Sequence, residues 1–171
     1  MATITLEGMK FYAYHGYYPE ERIIGGEYIV DVNISTNINK AAMSDELSNT
    51  INYETVYLIV DAEMRKPSKL LEQVLLRIIM GIKYQFDNIA TIEAKLTKLN
   101  PPMQGEVASS SLSDGQSFKA KCGRCSRGML CYGDETCWCN TKELYTKTQE
   151  NVKEQYGGNC LCKNCLDFYT R

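Results

Sequence analysis

The sequence predicts an α+β body built on an antiparallel sheet, followed by a separate cysteine-rich tail. Three observations predict it. Two segments, 27–36 and 91–99, alternate apolar and polar residues with a period of two, as half-buried strands do. Between them lie two segments whose apolar residues recur at helical spacing. All eight cysteines fall between Cys122 and Cys165, so the body (expected at 1–117) and the tail (118–171) are different objects.

Residues 3–7 open the body with Ile4 and Leu6 on one face, and Gly8 interrupts them. The aromatic stretch 11–21 follows and holds the single histidine, His15, just before a glycine turn. A lone histidine is either a structural group or a proton carrier. Glu20 and Glu21 follow Pro19 in an expected loop, where acids are either solvated or functional. In the strand at 27–36, Tyr28, Val30, Val32 and Ile34 face one way. With the first strand they make an antiparallel pair with one wet face.

A short helical turn is expected at 40–47. Asn52 is placed to cap the next helix, with Glu54 in its first turn. Val56, Ile59, Val60, Glu63 and Met64 follow helical spacing, Pro67 closes the helix, and Ser68 is expected to cap the one after it. Leu70, Leu71, Val74, Leu75, Ile78, Ile79 and Ile82 form the broad apolar face of that second helix. Glu72 lies in its first turn. It is either a dipole-stabilising acid or a carboxylate able to grip an amidine-like group through two parallel hydrogen bonds.

In the strand at 91–99, Lys98 shares the apolar parity of Ile92, Ala94 and Leu96, and Asn100-Pro101-Pro102 ends the strand. Lys98 is either a snorkelling side chain at a sheet edge or a partly desolvated amine with a lowered pKa, able to act as a base. A last, serine-rich strand is expected within 105–119, and 113–117 is expected as the linker to the tail. The order β-β-α-α-β-β gives a sheet with both helices on one face.

Composition excludes several classes. A formal charge of -2 offers no electrostatic case for nucleic acid or an anionic membrane. No apolar run approaches membrane-span length. The amino-terminal residues run straight into strand alternation without a signal-peptide pattern. The expectation is a soluble, cytoplasmic chain.

The body resembles the dihydroneopterin aldolases of folate biosynthesis. The resemblance rests on residues 11–16 (FYAYHG), Pro19-Glu-Glu21, Ala42-Met-Ser-Asp45, Asn52-Tyr53, Leu70-Leu-Glu72 and Thr97-Lys98 with Asn100-Pro-Pro102, and it covers about 1–117. It implies a tunnelling fold, in which the sheets of several subunits join into a barrel, as a tetramer or an octamer of two stacked rings. It implies retro-aldol cleavage of a pterin, 7,8-dihydroneopterin, to 6-hydroxymethyl-7,8-dihydropterin and glycolaldehyde, with C2' epimerisation as a companion activity. It implies no catalytic cofactor or metal and no Schiff base to the protein. Residue by residue it assigns Lys98 as the base, acting through a water, and Glu21 as the acid that positions them. Glu72 becomes the pterin anchor, and Tyr53 stacks on the pterin and serves protonation from the neighbouring subunit. Backbone groups near Ile51 and Leu71 match further substrate contacts, and His15 shapes the glycine turn. Gln104 departs from the proline usual after the lysine.

The tail reads C-x2-C-x5-C-x5-C-x-C-x20-C-x-C-x2-C, through Cys122, Cys125, Cys131, Cys137, Cys139, Cys160, Cys162 and Cys165. Disulfides suit secreted chains, whereas eight thiolates in a cytosolic chain fill two tetrahedral zinc sites. Zinc is the expected ligand, although the spacing does not assign cysteines to sites. Two such sites would be anionic, which argues against a nucleic-acid zinc finger. The tail is similar to the cysteine-rich CWC proteins over about 122–166, a resemblance that carries no activity. The alternative to an aldolase with a zinc-binding appendage is an oligomeric platform whose tail is a metal-dependent interaction or sensing module.

Overall fold

A computed structural model describes residues 1–133 and 137–169. The chain divides into two compact units, Met1–Ser117 and Phe118–Arg171. The first runs β1 (Ala2–Ala13), α1 (Glu21–Ile24), β2 (Gly26–Thr36), α2 (Asn39–Ser44), α3 (Tyr53–Met64), α4 (Leu71–Gln85), β3 (Ile89–Leu99) and β4 (Ser109–Ser117). The four strands form one antiparallel sheet in sequence order.

The sheet has one apolar face because the alternating residues of β2 and β3 come into register. Tyr28, Val30, Val32 and Ile34 sit opposite Lys98, Leu96, Ala94 and Ile92, and all eight are buried. The core is completed by Val56, Val60 and Met64 of α3 and by Val74, Leu75, Ile78, Ile79 and Ile82 of α4. Truncating any one of these isoleucines to alanine would cost about 2–5 kcal/mol. The expected cap of α3 forms: the Asn52 side chain accepts from the Glu54 N–H at 2.9 Å. Residues of the opposite parity, among them Asp31, Asn33, Glu93, Lys95 and Ser113, line an open polar concavity of about 910 Å³ on the helix-free face.

Several expectations need correction. Gly8 does not end the first strand. Its backbone lies at φ +68, its N–H donates to Asp31 at 2.7 Å, and a bulge there shifts the register between Leu6 and Met9. The strand then continues to Ala13, with Met9, Phe11 and Ala13 opposite Val30, Tyr28 and Gly26. Glu21 lies not in a loop but at the first position of α1, because Pro19 and Glu20 start a turn that Arg22, Ile23 and Ile24 close. Ser68 does not cap α4: Leu70 holds that position, and the Ser68 hydroxyl accepts instead from Arg77 at 2.7 Å. Residues 113–117 are not a linker. They complete β4, pairing from Lys95–Ser113 to Thr91–Ser117, because ladder formation beside β3 overrides weak local propensity.

In the second unit a hairpin of β5 (Lys119–Lys121) and β6 (Gly128–Leu130) precedes α5 (Thr146–Tyr156) and α6 (Lys163–Asp167). The polar helix α5 ends at Gly157 in the left-handed region, at φ +60, where glycine is favoured. Cys122, Leu161, Cys162 and Leu166 are buried together, with Met129, Trp138, Leu144, Val152 and Tyr156 packed around them. Domains of this size bury little apolar surface and commonly rely on cross-links or metal for stability.

Candidate active site

Lys98 is the second-last residue of β3, and strand alternation turns it toward the buried face. Its ammonium donates to Glu21 Oε1 and, at 3.2 Å, to the His15 carbonyl, and it lies 5.6 Å from the Tyr28 ring centroid. The Tyr28 hydroxyl donates to the same carbonyl at 2.5 Å. Two donors from neighbouring strands thus converge on one backbone oxygen within the aromatic stretch. Glu21 is presented by α1, and its Oε2 accepts from the Tyr18 N–H at 2.9 Å. Gly16 makes room for it, since a Cβ at that position would overlap the Glu21 carboxylate. Arg22 secures the turn by donating to the carbonyls of Gly16 at 2.6 Å and Tyr17 at 2.8 Å.

The start of α4 is tied to this turn. Gly16 donates to the Ser68 carbonyl at 2.9 Å, and a bridge links His15 to Ser68. Arg77, in the middle of α4, reaches back to Ser68, to the Lys66 carbonyl at 2.9 Å and to Glu63 at 3.1 Å. Glu72 follows four residues after Ser68, in the exposed first turn of α4, beside half-buried Leu71. Ile51 is buried. Tyr53, the first residue of α3, is 66% exposed. The chain therefore joins Lys98, Glu21 and the His15 backbone directly. Among the described residues, no hydrogen bond or ring contact joins Tyr53 or Glu72 to them.

The electrostatics correct one expectation. Burial is the largest single influence on Lys98 and pulls its pKa down. The hydrogen bond to Glu21 and the neighbouring Tyr28 push it up, and together they win, so the amine is held charged above its ordinary range. Burial pushes Glu21 up, but its bonds to Lys98 and to the Tyr18 N–H outweigh burial and hold it down. His15 is lowered to about 4, first by burial, then by the charges of Arg77 and Lys98, with the Met64 backbone opposing. Its ring is fully buried edge-on to Tyr28 at 5.3 Å. The imidazole is neutral filling, and it is the backbone of His15 that touches Lys98.

Two residues of this arrangement, Arg22 and Arg77, went unread in the sequence, while Tyr28 was read as a core residue and Gly16 as a turn without their contacts here. Arg77 left the clearest signal, a cation inside the apolar run of α4. The polar concavity on the other face of the sheet contains none of the candidate site residues.

The family model FolB: Dihydroneopterin aldolase matches residues 4–113. The chain belongs to the dihydroneopterin aldolase family. It is 35% identical over 103 residues to the dihydroneopterin aldolase of Staphylococcus epidermidis, an alignment spanning 60% of this chain and 85% of that one. It is 34% identical over 110 residues to that of Bacillus subtilis, spanning 64% and 92%. Among solved structures, E. coli dihydroneopterin aldolase in complex with neopterin superposes with a TM-score of 0.63 at 19% identity, over 68% of this chain and all of that one. The body therefore has the tunnelling fold of these enzymes. The family match stops at residue 113, before the cysteines.

In the tail, the sulfurs of Cys122, Cys125, Cys162 and Cys165 all lie within 4.8 Å of one another, a grouping that could hold a metal ion. Cys131 Sγ lies 3.0 Å from Cys160 Sγ and 3.9 Å from Cys137 Sγ. Cys139 sits half-buried in a single 3-10 turn at Trp138–Thr141.

Proposed function

We propose that the body is a working dihydroneopterin aldolase, and the observation that carries this reading is the buried Lys98–Glu21 pair inside a family fold. In the reaction the 2'-hydroxyl proton is removed and the C1'–C2' bond breaks. C2' leaves as the aldehyde of glycolaldehyde. The bonding electrons pass into the N5=C6 imine of the dihydropterin, and a proton then returns to C1'. The substrate's own imine is the electron sink, so neither a metal nor a Schiff base to the protein is required. Lys98 takes the proton through a water, Glu21 positions both, and Glu72 anchors the aminopyrimidinone edge by paired charge-assisted hydrogen bonds. Tyr53 stacks on the pterin and serves the protonation step.

Lys98 is an ammonium in the free chain, so its base form has to be generated on binding. Substrate that covers the site and excludes bulk water, with the bridging water and Glu21 in place, deepens burial, already the strongest single influence on the amine and the one that pulls it down. The free-enzyme pKa seen in kcat/KM then lies above the pKa seen in kcat.

Tyr53 is exposed and remote from bonding contact with Lys98, which supports a site completed by a second copy of the chain. The outer edges of β1 and β4 supply the surfaces for closing the sheets into a ring. The assembly is a tetramer or octamer. The enzyme works in the cytoplasm on a soluble pterin, and no helix among the described residues is long and apolar enough to cross a membrane. The tail, similar to CWC proteins, takes zinc, about two ions for eight thiolates.

Purified protein incubated with 7,8-dihydroneopterin should release 6-hydroxymethyl-7,8-dihydropterin and glycolaldehyde, resolved by chromatography. Accumulation of only the C2' epimer would make the body an epimerase. No conversion by zinc-replete protein would make it a platform for the tail.

A further inference from the structure

We propose that Cys122, Cys125, Cys162 and Cys165 bind one zinc ion as a closed tetrathiolate site that fastens the start of the second unit to its end. This rests on the reading of the tail as a zinc module and adds which thiols share an ion. The spacing alone left that assignment open.

Three independent features bring the two Cys-x-x-Cys segments together. The backbone is the first. Cys122 and Cys125 lie in the turn of the β5–β6 hairpin, closed by Cys122 N–H to the Arg127 carbonyl at 2.9 Å and Ser126 N–H to the Cys122 carbonyl at 2.9 Å. Cys162 and Cys165 bracket the first turn of α6, where the N–H groups of Cys165 and Leu166 both donate to the Cys162 carbonyl at 2.9 Å. The second feature is direct bonding between the segments. The Cys162 N–H donates to Cys122 Sγ at 3.2 Å, and the Gly123 N–H donates to the Cys160 carbonyl at 3.0 Å. The third is side-chain packing. Arg124, between the first two cysteines, lies 4.4 Å from the Phe168 ring centroid and 5.7 Å from that of Tyr169, just beyond the last cysteine. Cys122 and Cys162 are buried with Leu161 and Leu166.

Four sulfurs gathered this closely have the ligand number and type of a structural zinc site, with no coordination position left open for substrate. Ionised thiolates at this spacing repel one another and need a cation. An N–H donor to Cys122 Sγ is the kind of outer contact that orients a metal-bound thiolate. Cys125 is exposed, so a redox-active ion would be open to oxidants, whereas zinc has no redox chemistry. Cys131, Cys137, Cys139 and Cys160 lie between the two pairs in sequence and are not ligands of this ion.

The test uses the full-length protein. Zinc per chain is measured by mass spectrometry of the metal, and thiols are mapped by alkylation before and after chelation. The proposal expects Cys122, Cys125, Cys162 and Cys165 to be protected together and released together, and X-ray absorption to find four sulfurs at about 2.3 Å from zinc. Cys125→Ser and Cys165→Ser should each lower the content by one ion per chain and open the tail to protease. Cys139→Ser should leave the four thiols protected. Zinc-replete protein in which these four alkylate freely would overturn this assignment while sparing the zinc reading. A disulfide within the four, or bound iron, would overturn it as well. Metal-free protein with an intact tail would overturn both the assignment and the zinc reading.

Discussion

The two clusters of reactive side chains in this chain are held in opposite ways. Lys98 and Glu21 are far apart in sequence and meet only because β1, β2 and β3 come into register. The cysteines at 122–125 and 162–165 are each set by a local turn, and two such turns dock. The charges also differ. An ammonium beside a carboxylate satisfies itself, and each partner holds the other ionised. Four cysteines carry no opposite charge of their own, and four thiolates would share one sign. The Lys98–Glu21 pair is therefore balanced within the chain, whereas the cysteine cluster could hold a metal ion.

The sharpest way to break this contrast is to remove the body's cation. Lys98→Ala should lower kcat by about 10²–10⁴-fold while pterin binding, followed by fluorescence, stays nearly unchanged. Binding lost together with turnover would mean that Lys98 anchors substrate. Next comes acid. His15 falls from 6.5 to about 4 on folding, so the unfolded chain binds more protons between those values, and the contribution of neutral His15 is lost as pH falls through that window. The cost is roughly 3 kcal/mol, at about 1.4 kcal/mol per pKa unit. Denaturant titrations of the protein at pH 7 and pH 4 should show it, and His15→Gln should flatten the difference. An equally steep slope in the variant would place the titration elsewhere.

Glu72→Gln should weaken pterin binding by about 10–100-fold, the range for losing charge-assisted hydrogen bonds, with kcat little changed. Glu21→Gln has a smaller effect on rate and a diagnostic one on pH. With the carboxylate gone, burial acts on Lys98 against Tyr28 alone, so the rising limb of kcat/KM should move to lower pH. A limb that stays in place would mean that Glu21 does not set the Lys98 pKa. The smallest expected effect is that of zinc removal on turnover, which is none. A chelated full-length chain should cleave dihydroneopterin at an unchanged rate, and a fall in rate would couple the two units.

Much of the body was legible in the sequence because its signals are periodic and redundant. The alternation of Tyr28 to Ile34 and of Ile92 to Lys98 fixed which faces are buried, and Asn52 caps α3 as its type and position imply. Misreadings occurred where a local signal met a long-range ladder. The turn-prone residues 113–117 pair as strand beside β3, and Gly8 bends a strand without ending it. The pKa of Lys98 was misread because its position on a strand reports burial, whereas the opposing charge comes from a residue far back in the chain. Tyr28 and Arg77 resemble ordinary core and surface residues until the His15 carbonyl and Ser68 are seen beside them.

The bulge at Gly8 acts as a phase shifter. Before it, even-numbered residues of β1 pair with the buried residues of β2; after it, odd-numbered residues do. The extra residue thus keeps Met9, Phe11 and Ala13 in step with the core and delivers His15 to the inside. A strand that kept Gly8 but paired straight through it, without the bulge, would leave every site residue in the sequence and reverse the phase of everything from Met9 to His15. Tyr12 and Tyr14 would then point inward, and the carbonyl that receives Lys98 and Tyr28 would be carried off its mark. In this chain the spacing of the amino-terminal strand is as much a part of the site as the lysine itself.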